Sequence, residues 1–157
     1  NKLESSTIHS YLNSDFLSLF DHNIQSAIKQ VKIPYRQNGG TNGTDQSGAN
    51  GLSVKAFLLS GYEVGFTTSD SIYFPVDGAK LDYFTASSGG NVKRIANFNG
   101  SPYGWWLRSP YGGNALSVWY VDSSGSRNRL SSYTSYGVRP AIILPSDMIV
   151  TDDMLAA

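Results

Sequence analysis

The chain has 157 residues, 40% of them apolar and 13% aromatic, with no cysteine and a formal net charge of zero. That length can carry a substantial core, while the lack of cysteine excludes a disulfide framework and thiolate metal sites. Charged residues are only 15% of the chain, so the basic patch that nucleic acid requires is missing. No apolar run approaches the ~20 residues of a membrane-spanning helix, and no direct membrane insertion is expected.

The chain opens abruptly at Asn1, so a domain cut from a longer protein is expected, and it reads as one domain over 1–157 with 148–157 as a tail or linker. Ser5 and Ser6 can cap a helix carrying Ile8, Tyr11 and Leu12 at helical spacing. Asn13-Ser14-Asp15 offers a second cap, followed by Phe16, Leu19 and Phe20 and then by Ile24, Ala27 and Ile28. Two or three short amphipathic helices ending near Gln30 are expected, then a strand over 31–35 broken by Pro34. Residues 38–51 are mostly Gly, Asn, Thr, Ser and Gln with little able to pack, which predicts an exposed loop, disordered in preference to ordered. Asp45 is its lone carboxylate, too little for a calcium loop.

Val54 to Ser60 reads as a buried strand and 61–65 as a turn or short helix. Glu63 is one of two glutamates in the chain. Placed just beyond an apolar strand, it should have a cationic partner, because an unpaired buried carboxylate is costly; Arg108 and Arg139 are the candidates. For 71–84, with Asp77-Gly78 inside it, two readings stand: a hairpin, or a loop leading into a short helix at 81–84. Residues 87–91 read as loop, 92–98 as a short element, and 100–104 as a turn into Trp105-Trp106.

From Gly104 to Leu144 two stiff apolar segments enclose a polar tract. Trp105 to Ser109 should be a strand stopped by Pro110, and 138–144 a closing apolar strand. Consecutive strand residues face opposite sides, so at least one of Trp105 and Trp106 belongs to the core, although a sugar-stacking platform is the alternative. Arginines within apolar strand motifs usually anchor structure through bidentate pairing, which puts Arg108 and Arg139 with Glu63 in the frame. Between these segments, 111–136 is built mostly from Tyr, Ser, Gly, Asn, Arg and Trp, with neither Lys nor Glu. That mixture resembles a paratope, since Tyr and Trp give contact area with few torsions to freeze and the short polar residues give adaptable hydrogen bonds. A polar hairpin decorating a β-domain is the bland reading of the same residues. In 115–121 the alternation permits either face inward; Ser117 and Trp119 outward is preferred. Ser123-Ser124-Gly125 reads as a hairpin turn, and 126–133 as a returning strand or irregular loop.

Asp70, Asp77 and Asp82 form the one acidic cluster and read as turn and capping residues. His9 and His22 fall in the helical third and make no metal site. Neither catalysis nor a cofactor is expected.

Phe57-Leu58-Leu59-Ser60 with Glu63, Trp105-Trp106-Leu107-Arg108-Ser109-Pro110, Gly125 and Gly137-Val138-Arg139-Pro140-Ala141 together resemble an uncharacterised domain family of gut bacteria and their phages, and Ile8-x-x-Tyr-Leu-Asn13 fits it too. That family in turn resembles the C-type-lectin-like fold shared by formylglycine-generating enzymes and the variable proteins of diversity-generating retroelements. The resemblance implies an α+β fold with short N-terminal helices on a twisted antiparallel sheet. It also implies an extracellular binding domain, on a phage tail or a bacterial surface, whose partner is a protein or glycan of a cell surface. The catalytic cysteines of the formylglycine enzymes and the calcium-lectin sugar motifs are missing here. The expected contact surface is Tyr111, Asn114, Ser117, Trp119, Arg127, Arg129 and Tyr133, with Tyr103 at its margin. The rival in another class is an assembly domain whose tract joins copies in a fibre, with a homo-oligomer as one outcome; a carbohydrate-active enzyme is more distant.

Overall fold

A computed structural model describes residues 1–66, 78–85 and 90–149. It is α+β, with few short helices and small antiparallel sheets. Helix α1 (Thr7–Leu12) starts where expected, with the Ser6 hydroxyl accepting from the His9 amide at 3.2 Å. Helix α2 (Asp15–Ser18) follows, and α3 (His22–Ala27) is capped by Asp21, whose Oδ1 accepts from Asn23 and Ile24 at 2.8 and 3.0 Å.

Asn13, read as a cap, has a different task. Its side chain donates to the Ala56 carbonyl (2.9 Å) and accepts from the Lys55 and Ala56 amides (2.8 and 3.2 Å). Those groups lie where the expected strand over 54–60 is in fact two, β4 (Leu52–Val54) and β5 (Ala56–Leu58). The chain changes sheets at Lys55, and Asn13 supplies the hydrogen bonds that no strand partner provides there. β4 pairs with β1 (Val31–Ile33), while β5 pairs with β11 (Pro140–Ile142).

Residues 38–51 correct the expectation of disorder. β2 (Tyr35–Gln37) and β3 (Thr44–Gln46) form a hairpin, and Gly48–Asn50 a 3-10 turn. Asn38, Gly39 and Gly40 have φ of 63°, 59° and 30°, the left-handed region where Gly and Asn are least strained. Gly40 also packs against the tract, since a Cβ there would fall 2.7 Å from the Ala115 Cα.

Strands β8 (Trp105–Pro110), β9 (Ser117–Val121) and β10 (Arg127–Ser131) form an antiparallel sheet in the order β10-β9-β8. It is covered on both faces. Trp105, Leu107, Trp119 and Val121 join Ile33, Val54, Phe57 and Val64 in one core, while Trp106 and Tyr120 join Leu12, Ala56 and Leu58 in the other. The outer side of β8 is also bonded, Trp106 donating to the Gly137 carbonyl at 2.9 Å and Arg108 to that of Leu59 at 3.0 Å.

This covering overturns the outward assignment of Trp119, which is 6% exposed and less accessible than Trp106 at 8%. The closing strand is shorter than 138–144, and Val138, read as part of that apolar strand, precedes it and is 43% exposed. The turn at 100–104 is confined to Asn99-Gly100, after which β7 (Ser101–Tyr103) pairs with β6 (Ala96–Phe98). Asn91, read as loop, belongs to helix α5 (Gly90–Arg94). Helix α4 (Asp82–Thr85) agrees with the helical reading near 81–84. The Asp77 half of the alternative hairpin, Asp70, residues 86–89 and the tail from 150 lie outside the described residues.

Candidate functional site

The frame beneath the tract is closed on itself. Arg108, within the interval where the β8–β9 register shifts, meets Glu63 through two contacts, Nη1 to Oε2 at 2.5 Å and Nη2 to Oε1 at 2.8 Å. Its Nη1 and Nε also donate to the Leu58 and Pro34 carbonyls at 3.1 and 2.9 Å. Glu63 Oε2 accepts from the Ser60 amide at 2.9 Å, and the Ser60 hydroxyl from the Glu63 amide at 3.0 Å. The partner expected for Glu63 is therefore Arg108. Arg139 instead lies over Trp105 and Phe84, 5.1 and 5.5 Å from their ring centroids.

Arg94 is a frame residue that sequence reasoning missed. Its Nε and Nη1 donate to the Gly125 and Val64 carbonyls, each at 2.9 Å, and Nη2 meets Asn91 Oδ1. The Trp105 indole donates to the Arg94 carbonyl at 2.9 Å. Burial lowers the Arg94 pKa from its ordinary value. A signal was present in Gly125, whose close fit against α5 leaves no room for a Cβ, 1.9 Å from the Asn91 carbonyl oxygen.

The expected contact residues divide between the two faces of the sheet. On one, Arg127 and Arg129 project from β10 opposite Val121 and Trp119. Arg129 lies 4.6 Å from the centroid of half-buried Tyr111, which packs edge-to-face on Trp119 at 5.5 Å. Asn114 is exposed, but its Oδ1 accepts from the Leu116 and Ser117 amides at 2.9 and 2.8 Å, so it shapes its own loop; Ser117 is half-buried in β9. On the other face stand Tyr133, 82% exposed, and Tyr103, 41% exposed.

Tyr103 belongs to an aromatic ladder that the sequence did not reveal. Phe98 to Tyr103 is 5.7 Å between centroids, Tyr103 to Tyr136 5.2 Å, and Tyr136 in turn meets Tyr120 at 4.8 Å and Trp106 at 5.7 Å. Tyr136 is the wall between two clefts. One, of about 510 Å³, is lined by Ile8, Tyr11, Trp106, Val118 and Tyr133; the other, of about 570 Å³, by Asn97, Phe98, Tyr103, Ser135 and Arg139. Gly104 allows this wall, because a Cβ there would lie 2.2 Å from the Tyr136 ring. Burial, and next to it the neighbouring Tyr120, raises the Tyr136 pKa above that of an ordinary tyrosine.

Among the described residues no group of three His, Cys, Asp or Glu is placed to hold a metal ion, and no helix is long and apolar enough to cross a membrane. Asp82 is exposed in the first turn of α4. Burial, partly opposed by Glu4, lowers the pKa of His9 in α1.

The whole frame, both clefts and the tract fall within residues 1–146, which match a family described as a domain of unknown function (DUF6273), and the chain belongs to that family. No curated protein and no solved structure matches it.

Proposed function

We propose that this is a non-enzymatic binding domain whose exposed tract recognises a protein or glycan on a cell surface. The observation that carries this reading is the position of Tyr133: it stands 82% exposed at the rim of a cleft floored by Trp106 and Tyr136, above a frame whose ion pair is already satisfied internally. A large amphipathic ring over an apolar floor is the composition of a binding hot spot. The contact residues form two patches on opposite faces of the sheet, Tyr103 and Tyr133 on one and Arg127 and Arg129 on the other, with Asn114 in the loop before β9, Tyr111 supporting Arg129, and Ser117 and Trp119 holding the backbone between them.

In this reading the core is C-type-lectin-like and the domain sits on a bacterial surface or a phage tail. Its side chains are replaceable because no core contact depends on the outermost of them, which would suit diversification by a retroelement. The test is binding of the purified domain to bacterial cells and to protein and glycan arrays, beside Tyr133→Ala and Arg129→Ala. Loss of binding in either variant with unchanged stability supports the reading and identifies the face that binds; a domain that binds nothing, or binds equally after both substitutions, overturns it.

A second reading, assembly between copies, is favoured by Phe98, which is 63% exposed at the tip of the β6–β7 hairpin beside Tyr103. A concentration-dependent dimer in light scattering, abolished by Phe98→Ser, would select it.

A further inference from the structure

Among the described residues Arg139 is a cation without an anion. Its Nη1 is buried with no hydrogen-bond partner, and the carboxylate expected for it is bound by Arg108. Its guanidinium carbon lies over the Trp105 and Phe84 rings, 5.1 and 5.5 Å from their centroids, and Arg139 lines the cleft of about 570 Å³. Buried polar groups are ordinarily satisfied. A guanidinium keeps its charge and holds its N–H groups in one plane, the geometry that receives a carboxylate bidentately, and with Nη1 enclosed Nε and Nη2 are the pair left for that contact.

The remaining walls of the cleft narrow the choice of ligand. Phe98, Tyr103 and Tyr136 offer ring surfaces, and Asn97 and Ser135 offer short polar side chains. The backbone at the base of the cleft, between Gly104 and Gly137, is already paired. Gly137 donates to the Gly104 carbonyl at 3.1 Å and accepts from Trp106 at 2.9 Å. Ring faces to stack on, small hydrogen-bonding groups for hydroxyls and one fork-shaped cation suit a sugar that carries a carboxylate.

We infer that the cleft between Tyr103, Tyr136 and Arg139 is a binding site for an acidic sugar, its carboxylate received by Arg139 and its ring stacked on Tyr103. The inference rests on the binding reading above and names the ligand class for one of its two clefts. No metal ion takes part in it.

The experiment is saturation-transfer NMR and calorimetric titration with N-acetylneuraminic acid and glucuronic acid, beside their methyl esters and glucose. At least one acid is expected to bind, with affinity falling by about tenfold or more for its ester, the loss of one charge-assisted contact. Arg139→Gln should remove the preference for acid over ester, and Arg139→Lys should restore part of it by returning the charge without the fork. Tyr103→Ala, at an exposed position, should weaken acid and ester alike and serves if Arg139→Gln does not fold. Equal binding of acid and ester overturns the inference. So does competition by a peptide bearing a free C-terminal carboxylate but not by either sugar. If neither acid binds while cells are still bound in a Tyr133-dependent way, the acidic-sugar site is wrong and the binding reading stands.

Discussion

Glu63 and Arg108 face each other fork to fork at 2.5 and 2.8 Å, the arginine side chain wholly buried and the glutamate side chain 10% exposed. The pair joins the turn after β5 to the middle of β8, and its outer lone pairs and protons are taken by backbone groups of Ser60, Leu58 and Pro34. Breaking such a pair from one side leaves an uncompensated charge in the interior. Glu63→Gln is expected to cost about 3–5 kcal/mol, measured by urea unfolding. A double-mutant cycle with Arg108→Met should show coupling of more than about 1 kcal/mol; additive single effects would mean that the two side chains do not act as a unit.

Trp119 and Tyr133 stand in the same tract and should behave oppositely. Trp119→Ala empties part of the core shared with Trp105 and Val121 and should cost about 3–5 kcal/mol. Tyr133→Ala should leave the unfolding midpoint nearly unchanged, within about 0.5 kcal/mol, and weaken cell-surface binding by about 1–3 kcal/mol. Thermal scans and binding isotherms on both variants separate the two roles.

Gly125 turns the chain between β9 and β10 at a φ of 81°, with the Asn91 carbonyl directly behind it. Gly125→Ala adds backbone strain and a clash that only movement of α5 relieves, and α5 is held by the bond from Arg94 to the Gly125 carbonyl. A loss of about 2–4 kcal/mol is expected. Wild-type stability in this variant would show that α5 yields freely.

Tyr136 predicts a difference in alkaline stability. Its folded pKa is raised, by burial first and then by Tyr120, above an unfolded value near ~10. The folded state therefore keeps a proton that the unfolded state releases. The contribution is complete below pH ~10 and is lost as pH rises through the folded value. Tyr136→Phe has no such proton, so between pH ~9 and ~11 its urea midpoint should fall less than that of the wild type. Parallel decline of the two would remove Tyr136 as a source of alkaline lability.

The frame was legible in the sequence because charge is scarce: with only 15% charged residues, a glutamate beside an apolar strand has few cations within apolar segments to pair with. Helix starts were legible through Ser6, since a cap is local chemistry. Trp119 was not, because alternation distinguishes inside from outside only when one face of a sheet meets water, and here both faces of β9 are core. The role of Tyr136 was hidden for a related reason. Within the tract it reads like Tyr133, and what sets it apart is the space left by Gly104, a strand and a hairpin away. Residues 38–51 were misjudged because composition shows the lack of packing side chains but not the hairpin register that the positive-φ residues permit.

Among the described residues β10 is a border strand of the β8–β9–β10 sheet, and a border strand invites pairing with whatever extended chain drifts past. Here it reads Arg127-Asn128-Arg129, all three exposed. Two molecules approaching border to border would bring like charges together. The tract thus ends on a strand whose two arginines oppose the pairing of copies along this border.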